Sequence, residues 1–140
     1  MKKITLSFII LILASFVSAY AAKPRELSFA NLLEQLKTTK RPLVIDVHAT
    51  WCGPCRSFGP IFESVASQYP SRASFYKMDI DKNPELSENL GITSVPTLLI
   101  LYVSDGKLQC EKSVGFMTED EFIALLNSTL KKVDGTRLKL

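Results

Sequence analysis

The 140-residue sequence holds only three cysteines and a single histidine. That is too little sulfur for a disulfide-stapled scaffold, and the spacing fits no zinc site, which needs clustered soft ligands. Charge of one sign is also scarce. Against 14 Asp and Glu stand 17 Lys and Arg, and the resulting +3 is too small an excess for a nucleic-acid binder. Repeats, low-complexity tracts and long linkers are missing. What is present, 46% hydrophobic and 22% charged residues, is a globular composition of a size for one domain.

The chain opens on Lys2 and Lys3, continues through the apolar run Ile4 to Val17, and reaches the small residues Ser18-Ala19-Tyr20-Ala21-Ala22. These are the three regions of a secretory signal peptide, with the cut placed after Ala21. The apolar run is short for a membrane span, which needs about 20 residues. No cysteine sits at the cut, which argues against a lipid anchor. Residues 1–21 are therefore expected to leave, and residues 22–140 to form a single domain. The mature chain carries a net +1. Outside the reducing cytosol its cysteines become informative.

Along the mature chain, residues 22–27 give no pattern and read as an unstructured start. Ser28 reads as an N-cap, and Phe29, Leu32, Leu33 and Leu36 follow helical spacing to about Thr39. Leu43-Val44-Ile45-Asp46-Val47 is apolar enough to be a strand covered on both faces. A helix from about Cys52 places Phe58, Ile61, Phe62, Val65, Ala66 and Tyr69 on one stripe, with Pro60 expected to kink it. Ala73 to Asp79 reads as a strand. Asn83-Pro84 opens a short helix ending before Gly91. Strands at Thr97–Val103 and Leu108–Ser113 flank the turn Ser104-Asp105-Gly106-Lys107. Thr118 to Glu121 forms a capping box for a last helix through Phe122, Leu125, Leu126 and Leu130, fraying from Asp134. Strands joined through helices pair in parallel and the closing hairpin adds an antiparallel part. The expected fold is α/β, a mixed central sheet flanked by helices, with the first strand short or missing.

Cys52-Gly53-Pro54-Cys55 falls where the buried strand hands over to a helix. Unpaired N–H groups and the dipole at a helix start favour an anion, so a thiol there ionises below the ordinary value of about 8.5, near 7 or lower. The two-residue spacer brings Cys55 one turn on, close enough for a small disulfide ring. Gly53 is expected to leave the sulfur accessible, and Pro54 fits the first turn, where its missing N–H costs nothing. Two other readings stand beside this one. A zinc site would have to recruit Cys110 and His48. A purely structural disulfide would close too small a loop to constrain the unfolded chain.

Trp51 completes Trp51-Cys52-Gly53-Pro54-Cys55, and here the sequence resembles the thioredoxin family. The likeness runs from Val44 to Arg56 across the active-site strand and turn. It continues through Gly91-Ile92-Thr93-Ser94-Val95-Pro96-Thr97, similar to the family's cis-proline loop, and includes Gly106 and Gly115. It covers about residues 28–132. The resemblance implies a redox-active Cys52–Cys55 disulfide. It makes Asp46 the buried acid that exchanges a proton with Cys55, where the residues alone allow a salt-bridged core acid. It makes Lys77 the partner of that acid, where the residues alone allow a surface lysine. It implies a cis bond before Pro96 and a docking face of Trp51, Pro54, Val95 and Gly115, on which the Val95 backbone meets an extended substrate segment.

The implied activity is thiol–disulfide exchange on disulfide-containing proteins, with no metal or organic cofactor. The Gly53-Pro54 spacer resembles that of reducing members near about −270 mV, not of strong oxidants near about −120 mV. A secreted reductase needs electrons from across a membrane, so a membrane thiol relay is the expected donor. A periplasmic location and a monomer are expected, with the endoplasmic reticulum and the extracellular space as other destinations. The chain ends Arg137-Leu138-Lys139-Leu140, not in a retention tetrapeptide. An oxidant or isomerase for secreted proteins is the rival reading. A non-catalytic binding module is the rival of another class, and its signature would be loss of an active-site cysteine. Two features depart from the family pattern. His48 replaces an aromatic or small residue on the same side of the strand as Asp46. Cys110, unpaired by count, is expected to be a small buried residue.

Overall fold

A computed structural model describes residues 23–137. The proposed signal peptide lies outside the described residues. The elements in chain order are β1 (Arg25–Glu26), α1 (Phe29–Thr38), β2 (Leu43–His48), α2 (Gly53–Gln68), β3 (Ser74–Asp79), α3 (Pro84–Asn89), β4 (Thr97–Ser104), β5 (Lys107–Val114) and α4 (Glu119–Arg137).

The sheet order is β1-β3-β2-β4-β5. β2 and β3 run parallel in register from Leu43 opposite Ser74 to His48 opposite Asp79. β4 pairs antiparallel with β2 and with β5. The mixed sheet between helices is the expected one, and the first strand is short, at two residues. The expectation of an unstructured start at 22–27 is corrected there. Arg25 and Glu26 pair in parallel with Tyr76 and Lys77, and the Leu27 N–H donates to the Lys77 carbonyl at 2.7 Å. Two charged residues leave no period to detect, so backbone pairing alone makes this strand.

β2 is covered on both faces, which is why it reads as continuous apolar sequence. Val44 joins a core with Phe58 and Phe62 of α2 and Phe122 and Leu126 of α4. Leu43, Ile45 and Val47 face Leu32 of α1 and Leu86 of α3. Phe62 stacks on Phe122 at 5.8 Å between ring centroids and meets Phe75 edge-on at 5.7 Å. Pro60 lies inside α2, which runs unbroken from Gly53 to Gln68.

Local chemistry sets the other boundaries. Ser28 caps α1 through the Asn31 N–H, although Phe29 and Leu33 of its apolar stripe remain exposed. Asp105 and Gly106 both take positive φ, the geometry of a tight hairpin turn matched to strand twist. Thr118 and Glu121 exchange the reciprocal hydrogen bonds of a capping box. Against the expected fraying from Asp134, the helix goes further among the described residues. α4 continues to Arg137, and Asp134 accepts an ion pair from Arg72 at 2.8 Å.

Candidate active site

Where β2 ends, the chain turns at Ala49 to Trp51 and enters α2. Cys52 is the N-cap, in extended backbone, and its Sγ accepts the Cys55 N–H at 3.2 Å. Pro54 occupies the first turn, where no N–H is needed. Cys52 and Cys55 are joined by a disulfide, with their Cα atoms 5.3 Å apart. One sulfur therefore sits against a backbone donor and the positive end of a 16-residue helix. The expected openness of Cys52 is corrected: the residue is 5% exposed, packed with Ala49 and Cys55 against Ile80 and Val95. Trp51, Gly53 and Pro54 are what the surface around it presents.

The peptide bond before Pro96 is cis, and Pro96 is buried. Its carbonyl accepts the Gly115 N–H at 2.8 Å. Gly115 takes φ 97°, a conformation that favours glycine. Trp51, Ile80, Ile92 and Val95 line a groove of about 310 Å³ beside the cysteines. Val95 thus packs on the cysteines, Trp51 precedes them in the chain, and Gly115 is tied to the Val95-Pro96 turn through the Pro96 carbonyl. A larger cleft of about 670 Å³ lies at the opposite end of the sheet, between Pro42, Ser74 and Asp134. It contains no cysteine.

On the other side of the disulfide, Asp46, His48, Cys55, Glu63 and Lys77 line a cleft of about 330 Å³. Asp46 is 2% exposed. Burial pushes its carboxyl up from 3.8 to about 6, against the opposing pull of His48 and Lys77. The expected pairing of Lys77 with Asp46 is corrected. The two residues stand opposite in register, but the ammonium donates to Glu63 Oε1 at 2.7 Å. That hydrogen bond holds the Glu63 carboxyl below its usual range. The reason is reach: a flexible lysine is captured by the half-exposed acid of α2, where burial costs less.

Three residues of the site escaped the sequence reading. Glu63 shares a helical stripe with Cys55 and Gly59 at four-residue steps, a signal that was available. Asp81 accepts the Trp51 indole N–H at 2.9 Å, a contact across 30 positions with no local signature. Phe116, half-exposed, meets Phe58 edge-on at 6.5 Å and extends the apolar surface beyond Gly115. Cys110 is corrected as well: it is exposed on β5 because alternate residues of that edge strand face solvent. Among the described residues no cluster of three or more His, Cys, Asp or Glu is placed to hold a metal ion.

Comparison with known proteins points the same way. The family model described as Thioredoxin matches residues 23–128. The thioredoxin of Borreliella burgdorferi is 46% identical over 82 residues, which cover 59% of this chain and 68% of that protein. The thioredoxin of Mycoplasmoides gallisepticum is 42% identical over 94 residues, covering 67% and 90%. Among solved structures, a chloroplastic thioredoxin z superposes with a TM-score of 0.69 at 30% identity, over 76% of this chain and 93% of that one. With that family model spanning more than half of the sequence, and with a dithiol pair at the mouth of α2, the chain belongs to the thioredoxin family of thiol–disulfide oxidoreductases.

Proposed function

We propose that this protein is exported and reduces disulfides in other proteins. The observation that carries the reading is the Cys52 sulfur, held at the helix start against the Cys55 N–H. In the reduced protein, the Cys52 thiolate attacks a substrate disulfide, forms a Cys52–substrate bond and releases one substrate thiolate. Cys55 loses its proton to Asp46 and attacks Cys52 Sγ. The Cys52–Cys55 bond forms, the bond to substrate breaks, and the second substrate thiolate leaves. Two electrons pass from the dithiol to the substrate. Trp51, Pro54, Val95 and Gly115 offer the docking surface, Lys77 balances charge near Asp46, and no metal or organic cofactor takes part.

The Gly53-Pro54 spacer supports the reducing direction. The basic start, apolar run and Ala19-x-Ala21 pattern support export. A membrane thiol relay then supplies the electrons, and the periplasm is the expected compartment. Replacement of Cys55 by Ser removes the resolving thiol, so Cys55→Ser is expected to accumulate mixed disulfides with substrates in the native compartment. Non-reducing gels and mass spectrometry read this directly. Absence of any trapped partner under mild conditions would contradict the assigned roles. A redox potential near about −270 mV against glutathione supports the reductase, and one near about −120 mV would make the protein an oxidant.

A further inference from the structure

Two polar atoms in the cleft behind the disulfide, Asp46 Oδ1 and His48 Nε2, are buried without a protein hydrogen-bond partner among the described residues. Buried polar groups are rarely left so, because each unmade hydrogen bond costs free energy. Both belong to the cleft that also contains Cys55. At about 330 Å³ this space is ample for water, which needs only about 10–15 Å³ per molecule, and Asp46, His48, Glu63 and Lys77 supply polar groups to its lining. Asp46 and His48 are two apart on β2, so their side chains leave the same face roughly 7 Å apart. That is one water bridge beyond direct contact.

We propose that His48 is a positioning residue for the proton step at Cys55: through water in this cleft it holds the Asp46 carboxylate ionised and takes its proton on to solvent. The inference rests on the reading of Cys55 and Asp46 given above. An imidazole is the side chain whose charge changes near neutral pH, so it suits both tasks. Charges from every neighbouring element bear on the pair. β1 brings Glu26, β3 brings Lys77 and Asp79, and α2 brings Arg56 and Glu63. Four of these are already committed: Lys77 and Glu63 bond each other, Asp79 accepts the Asp81 N–H and lies near Lys82, and Arg56 donates to the Thr50 carbonyl. His48 ranks ahead of Lys77 in holding the Asp46 carboxyl down. The proton balance is simple. Cys55 gives its proton to Asp46 as it attacks, Asp46 passes it through water to His48, and His48 releases it to solvent or to the departing substrate thiolate.

The test separates the two sulfur steps. Fully reduced protein mixed with dithiobis(nitrobenzoate) releases one thionitrobenzoate when Cys52 attacks and a second when Cys55 resolves, once the separate release by the exposed Cys110 is subtracted with a Cys52→Ser, Cys55→Ser control. In His48→Gln the first phase is expected to keep its rate. The acid limb of the second phase should move up by roughly half a unit to one unit, the effect of one charge about 7 Å away at an intermediate dielectric. In an Asp46→Asn background the same substitution should move nothing further. An independent readout does not pass through the kinetics: by carbon-13 NMR the midpoint of the Asp46 carboxyl should lie higher in His48→Gln than in the unsubstituted protein. An unmoved acid limb, or an Asp46 carboxyl midpoint that His48→Gln leaves unchanged, would overturn the proposal. Loss of the first phase in the unsubstituted protein would instead count against the roles of the cysteines.

Discussion

Substitution of Cys52 by Ser is expected to lower reduction of a protein disulfide such as that of insulin by about 10⁴-fold or more, the scale on which loss of a catalytic nucleophile is felt. The thiolate is the attacking species in disulfide exchange, and a serine hydroxyl does not ionise near neutral pH. The fold should survive, because serine is a favoured N-cap and Cys52 already caps α2 through the Cys55 N–H. Chemistry and structure are therefore separable at this position. An unchanged circular dichroism spectrum with background activity is the expected pair of results. A variant that still reduced insulin would move the nucleophile elsewhere. One that lost activity but still bound partner proteins would show how much of recognition belongs to the surface around Trp51 and Val95.

The second large effect concerns stability. Asp46 holds its proton up to about pH 6 in the folded chain, against 3.8 for the exposed carboxyl. Between those values the native state binds more protons than the unfolded state, so stability falls as pH rises. Above the folded value the carboxylate is ionised in both states and the loss is complete. Its size is about 3 kcal/mol, a sizeable part of a domain's net stability. Denaturant titrations from pH 4 to 7.5 are expected to show this decline in the unsubstituted protein and its absence in Asp46→Asn, which should be the more stable of the two at pH 7.5. Parallel pH curves for the two proteins would mean that Asp46 is better compensated than its burial implies. A group that weakens the fold at neutral pH fits a functional acid better than a structural one.

Elements that bury an apolar pattern were legible in the sequence. β2, α2 and β4 owe their boundaries to runs and stripes that face the two cores, and the hairpin turn owes its shape to Asp105-Gly106. The dithiol could be placed because its local requirement, a cap followed by proline at a helix start, is written in consecutive residues. What stayed hidden depends on contacts between distant positions. β1 exists through backbone pairing with Tyr76 and Lys77. The ion partner of Lys77 was set by which acid its long side chain reaches first, and α2 supplied Glu63. Trp51 and Asp81 meet only because the ends of β2 and β3 lie side by side. Cys110 looked like core by residue type, but strand alternation on an edge decides exposure.

Alkylation of the reduced protein by iodoacetamide across a pH series, with the modified residue identified by mass spectrometry, tests the Cys52 nucleophile most directly. A single fast-reacting thiol at Cys52, with a midpoint below the ordinary thiol value, is expected from its place at the helix start. A midpoint at the ordinary thiol value of about 8.5, or Cys55 reacting first, would contradict it.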